Sequence, residues 1–168
     1  MTRPLADLPD GVLPWTRSCF VCGEANPHGL RLRSRLEDGC VVLDYTTRDT
    51  DRGYRHIVHG GIAVTLVDEV MTWAAIAAAR TVCVAAELVT RLRQPIEVGR
   101  TLRVEGRLAG GRSRLLMTEG RILGADGAVL LTAKGKYMPM PPDKVALCAK
   151  DFVTGPDSLP LDRLFPDG

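Results

Sequence analysis

His59-Gly60-Gly61-Ile62-Ala63-Val64-Thr65-Leu66-Val67-Asp68-Glu69 opens a run that stays apolar through Val70, Met71 and Trp73 as far as Ala79. It reads as one buried helix with a carboxylate in it. At about 100° per residue and with Gly61 at zero, Thr65 falls at about 40°, Thr72 at about 20°, Asp68 at about −20° and Glu69 at about 80°. The polar side chains share one wedge. Ile62, Ala63, Val64, Leu66, Val67, Val70, Met71 and Trp73 fill the remaining arc, so other protein must wrap the helix on most of its circumference. Asp68 therefore faces something specific, because a desolvated carboxylate is costly unless paired or used, and such groups gather at functional sites. The glycines at the helix start leave backbone N–H groups bare at the positive end of the macrodipole, which suits a carbonyl oxygen gaining negative charge. Glu69 lies about 100° around from Asp68 and reads as a structural or interface partner.

Outward from this helix the chain reads as α+β. Residues 30–36 alternate apolar with Arg and Ser, residues 40–46 are β-rich, and Glu37-Asp38-Gly39 supplies a hairpin turn between them. Residues 47–58 form a polar loop into the helix. Four further strands are predicted at 82–92, 101–108, 113–123 and 129–137, with turns at Gly110-Gly111 and Ala125-Asp126-Gly127. The segmentation is then an irregular lead-in at 1–30 with at most a short helix near 5–12, a folded domain at 31–138, and a Pro-rich arm at 139–168 expected to be extended on the surface.

Composition excludes several classes. The chain has 168 residues, is 45% hydrophobic and 25% charged, and carries a formal net charge of +2, which suits one soluble domain with no strong attraction to nucleic acid or membrane. Its first residues, MTRPLADLPDGV, lack the apolar stretch of a signal peptide, so a cytoplasmic location is expected. The apolar run around the helix approaches membrane-spanning length, but His59, Asp68 and Glu69 would be expensive in lipid. Five cysteines are too sparse for a disulfide scaffold. Cys19 and Cys22 form a C-x-x-C pair for which only His28 and Cys40 are near in sequence, at a spacing unlike structural zinc sites, while Asn26-Pro27-His28-Gly29 is a turn rather than a redox-type helix start. The pair reads as a compact loop with half-buried thiols. Neither a metal, at this pair or at His56, His59 and Asp68, nor a cofactor is expected.

The segment HGGIAVTLVDE resembles the central helix of hotdog-fold acyl-CoA thioesterases of the PaaI-like group, whose signature is HGG, a short apolar stretch, then Leu-x-Asp or Leu-x-Glu. Cys19-Phe20-Val21-Cys22-Gly23 with Asn26-Pro27-His28-Gly29-Leu30 resembles a lead-in of one branch of that group, and Ala86-Glu87-Leu88 and Gln94-Pro95-Ile96-Glu97-Val98-Gly99 match the strand and turn expected after the helix. The resemblance spans roughly residues 19–140. It implies an antiparallel sheet wrapped around one long central helix, and a homodimer or dimer of dimers in which one protomer's helix start meets the other's strand. The implied reaction is hydrolysis of an acyl-CoA thioester, with Asp68 as general base or nucleophile, the amides of Gly60 and Gly61 polarising the carbonyl, and His59 orienting the turn.

Two departures from the family pattern matter. The loop Asp51-Arg52-Gly53-Tyr54-Arg55-His56 has no Asn or Gln to hold a water, and Ala85 stands where relatives place Ser or Thr. Thr65, Thr72 and His56 are the candidates to replace them around the substrate, beside Ala85. Arg112 and Arg114 are candidates for the coenzyme A phosphates, although alternating Arg on a strand also suits a solvated face. An acyl-CoA binding module with little turnover and an enoyl-thioester hydratase remain alternatives.

Overall fold

The computed structural model describes residues 2–165. After a 3-10 turn at Leu5–Asp7 come two short strands, β1 (Gly11–Val12) and β2 (Trp15–Thr16), and then the hairpin of β3 (Arg35–Glu37) and β4 (Cys40–Thr46). A second 3-10 turn, Asp49–Asp51, and the small pair β5 (Arg52–Tyr54) and β6 (Ile57–Val58) lead into α1 (Gly60–Ala79). The long strands β7 (Cys83–Leu92), β8 (Thr101–Arg112), β9 (Leu115–Gly124) and β10 (Val129–Pro139) follow, and then α2 (Pro142–Ala149), β11 (Phe152–Val153) and α3 (Leu161–Leu164). Seven strands form one antiparallel sheet in the order β1-β3-β4-β8-β9-β10-β7, and α1 lies across its inner face, chiefly over β8 and β9. The sequence expectation of a sheet around a single long helix is met.

Alternation decides which side of each strand meets the helix. On β8, Leu102 and Val104 are buried beneath α1, while Arg103 and Glu105 on the other face join Glu37 and Arg121 in a ladder of ion pairs 2.6–2.8 Å long. A row of small residues lets the helix sit close, since Gly106 pairs with Gly120 and Gly120 with Ala133. A Cβ at Gly106 would fall 2.6 Å from the Val70 backbone, and one at Gly120 would fall 2.5 Å from Val67 Cγ2. The helix is long and apolar enough to cross a membrane, yet Leu66, Val67, Val70 and Met71 are completely buried in this core. It stops at Arg80, whose left-handed backbone (φ 61°) returns its N–H to Ile76 O at 2.8 Å.

Three sequence expectations change. The strand predicted over 30–36 is confined to Arg35–Glu37, although Asp38 (φ 49°) and Gly39 (φ 70°) do form the two-residue hairpin turn. Gly110-Gly111 is not a turn. β8 runs through it with a register shift between Leu108 and Gly110, a bulge that tolerates the φ of 119° at Gly111, and the chain reverses at Ser113-Arg114. The C-terminal arm is not simply extended, because its apolar residues fold back onto the flank of α1. There β11 pairs with β2, Leu159 and Leu164 are buried, and Phe152 stands edge-on to Trp73 and Phe165, with ring centroids 6.0 and 5.1 Å apart.

At the opposite end of the sheet, β7 is an open edge. Val84, Val89 and Leu92 are 46, 60 and 54% exposed, an apolar character that an edge facing only water does not carry.

Candidate functional site

Asp68 is half-buried on α1, and its carboxylate is held from the sheet. Tyr137, inward-facing on β10 and completely buried, donates its phenol to Asp68 Oδ1 at 2.6 Å, and Thr72 Oγ1 lies 3.5 Å from the same oxygen. Oδ2 has no hydrogen-bond partner among the described residues. Burial, followed by the bond to Asp68, raises the Tyr137 pKa far above the ordinary tyrosine value, so the phenol is a fixed donor and Asp68 a fixed acceptor. Ala85 pairs across the strands with Tyr137. A phenol from the neighbouring strand therefore occupies the neighbourhood where the resemblance expects a small hydroxyl.

At the helix start, His59 is the N-cap, and its Nδ1 accepts the Gly61 N–H at 2.9 Å. The expectation that both glycine amides are free is corrected here. The Gly61 N–H is engaged by the cap, while the Gly60 N–H has no partner among the described residues. Gly60 lines a cleft of about 480 Å³ with His59, Tyr54, Leu92, Gln94 and Pro95.

The remaining candidates separate. Thr65 returns its hydroxyl proton to Gly61 O at 2.9 Å, so it has only lone pairs to offer a ligand. Thr72 stays beside Asp68. His56 does not join the carboxylate, because it is exposed and lines a different cleft with Arg52, Arg55 and Glu97. Arg112 and Arg114 are exposed at the tip of the β8–β9 hairpin, away from the start of α1.

Glu69 faces the other flank of the helix, as its angular position requires. Trp73 Nε1 donates to Oε1 at 3.1 Å, and Cys19 Sγ lies 3.9 Å from Oε2. Burial, reinforced by Cys19, pushes the Glu69 carboxyl up to about 7. The neighbouring Cys22 thiol and the loop amides bring Cys19 down to about 5, while Cys22, beside Cys19 and buried, is pushed up. The sequence neighbours His28 and Cys40 are not the partners of this pair, since Cys40 bonds Gly106 O at 3.3 Å instead. Tyr137 and the Glu69–cysteine contact were both missed from sequence. Only Tyr137 left a signal there, the inward parity of Leu131, Ala133, Gly135 and Tyr137.

The model of the thioesterase superfamily matches residues 56–130, which hold the helix start, α1 and β7 to β9. Over these residues the chain is similar to the thioesterase superfamily, and its fold is the hotdog fold. Among solved structures, the chain is similar to the thioesterase superfamily protein RHA08564, with 29% identity over 73% of this chain and a TM-score of 0.66, and it spans 60% of that protein's length. It is also similar to smu.793 from Streptococcus mutans UA159 bound to acetyl CoA, at 17% identity over 60% of this chain and 81% of that one, with a TM-score of 0.57. The PaaI protein of the E. coli phenylacetic acid degradation operon shares the fold at 18% identity over 66% of this chain and 78% of that one, with a TM-score of 0.59. No curated protein matches the chain.

Proposed function

We propose that the protein hydrolyses an acyl-CoA thioester at a site shared between two copies of the chain. The observation that carries this reading is the Asp68 carboxylate, fixed through one oxygen by a buried phenol and left unpartnered through the other. The likeness of residues 56–130 to the thioesterase superfamily and a neighbour of the same fold bound to acetyl CoA support the substrate class. Asp68 Oδ2 takes a proton from water as the water oxygen bonds to the carbonyl carbon. The oxyanion is met by the Gly60 N–H, and the C–S bond then breaks, with the proton returning to the departing coenzyme A sulfur. The alternative first step is direct attack by Oδ2 followed by hydrolysis of the anhydride. Gly60 and Asp68 stand eight positions apart on the helix, an axial rise of about 12 Å, so the two cannot serve one carbonyl within a single chain. A second chain laid against the β7 edge supplies the missing half. Arg112 and Arg114 are then candidates to meet coenzyme A phosphates.

The test is release of free coenzyme A from a panel of acyl-CoAs. Asp68→Asn should lower turnover on the best substrate by about 10² or more with the fold intact, and Glu69→Gln by much less. Equal losses from the two would remove Asp68 from its role. The capped Gly61 amide and the missing hydroxyl at Ala85 favour a second reading, an acyl-CoA binding module. Tight binding without release by the wild type would select it.

A further inference from the structure

The geometry points to a zinc site where the N-terminal segment meets α1, held by Cys19, Cys22 and Glu69. One ligand atom from each lies within 4.8 Å of the other two, so small side-chain rotations bring all three onto one ion. The C-x-x-C loop is wound as a knuckle. Val21 N–H donates to Cys19 Sγ at 3.2 Å and Gly23 N–H to Cys19 O at 2.9 Å, and a Cβ at Gly23 would lie 2.4–2.6 Å from Arg17 O and the Cys19 backbone. The loop closes this way only with glycine there, and an amide aimed at sulfur stabilises thiolate charge.

Glu69 is oriented as a ligand would be. The Trp73 indole holds Oε1 and turns Oε2 toward Cys19, the arrangement by which an outer partner fixes a ligating carboxylate. The surroundings call for a cation. The cavity there, about 280 Å³, is lined by Trp73, Ile76, Val82 and Phe152 with Cys83, Cys148 and Asp151, and no Lys or Arg lines it among the described residues. Acidic groups gathered in an apolar pocket need protons or a metal. Two sulfurs and one carboxylate oxygen suit zinc and are foreign to calcium or magnesium. Three protein ligands leave the fourth position toward the cavity. Thr72 lies between this cavity and Asp68, but the three ligands are not those of the thioester reading, so the metal site stands independently of it. It pins the amino-terminal loop to the central helix.

Elemental analysis of protein purified under reducing conditions should find about one zinc per chain. After chelation, cobalt(II) should bring up a thiolate-to-metal charge-transfer band with tetrahedral d–d absorption. Cys19→Ser and Glu69→Gln should each lose the metal, whereas Cys40→Ser should retain it. Trp73→Phe should weaken zinc binding by about 10- to 100-fold in competition with a chromophoric chelator, a change that a merely structural indole would not produce. Where a cysteine variant fails to fold, cobalt titration of the reduced wild type decides by itself. A missing thiolate band in that titration, or zinc that survives replacement of Cys19 and Cys22 together, overturns the site.

Discussion

Asp68 keeps one oxygen on Tyr137 and the other open, and this division of labour is what Tyr137→Phe would destroy while leaving the ring's packing in place. A hydrogen bond to a charged group is worth about 1.5–3 kcal/mol, so on the proposed mechanism, in which the bond orients the base rather than the substrate, turnover should fall by about 10- to 100-fold with KM little changed. A large rise in KM at unchanged kcat would assign Tyr137 to binding instead. Asp68 was legible in the sequence because helical periodicity reports the angle of each residue. Tyr137 was not, because it lies 69 residues further along, and the register that sets it beside Ala85 includes a shift between Lys136 and Tyr137 that no alternation rule anticipates. The same holds for Glu69 and Cys19, 50 residues apart and joined only by how the lead-in crosses the helix. Gly61 failed for a different reason, since a histidine N-cap claims its amide locally.

Among the elements, α1 depends on the row of small residues beneath it. Gly106→Ala would drive a methyl into the Val70 backbone, which cannot give way as a side-chain tip can. The expected cost is about 1–3 kcal/mol or more, read as a lowered denaturation midpoint, and a neutral result would mean that the helix slides freely on the sheet. The loop before α1 hangs on Asp51, which is 2% exposed and accepts from the Tyr45 hydroxyl, from Arg48 N at 2.7 Å and from the Arg48 guanidinium at 3.2 Å, while its own carbonyl receives His59 N–H. Burial opposes ionisation of Asp51, but Tyr45 and Arg48 overcome it and hold the carboxyl below its ordinary 3.8. Burial, then the bond to Asp51, pushes Tyr45 from 10 up to about 12. On the acid side the stabilisation is present above 3.8 and is lost as pH falls through the lower folded value. On the alkaline side it is intact below 10 and drains as pH rises through about 12. Thermal melts across pH should show wild type and Asp51→Asn converging at both ends and furthest apart between them. A gap independent of pH would deny the ionised pair its part. The β-rich runs and the hairpin turn at Asp38-Gly39 were legible because dihedral demands are local. The fold-back of the last segment was not, because proline spacing says where a chain bends and nothing about what it leans on.

For the whole molecule, the proposed shared site rests on the apolar β7 edge and on the separation of Gly60 from Asp68. Light scattering should give at least twice the 18.2 kDa of one chain. Val84→Lys, a charge on the open edge, should shift the protein toward monomer and reduce coenzyme A release in parallel. A monomeric wild type with full turnover would end the shared-site model. The pairing of β11 with β2 has a consequence in time. Ser18 N–H reaches Asp151 Oδ2 at 3.1 Å across 133 residues of chain, so this clasp over Trp73 cannot form on the ribosome until nearly everything between has emerged. The sheet and α1 are free to assemble earlier, since residues 40–139 contain all their long partners. Until Phe152 is made, nothing from the C-terminal segment can cover Trp73, so the flank of α1 that faces Cys19 and Cys22 is the part of the helix that synthesis leaves bare longest.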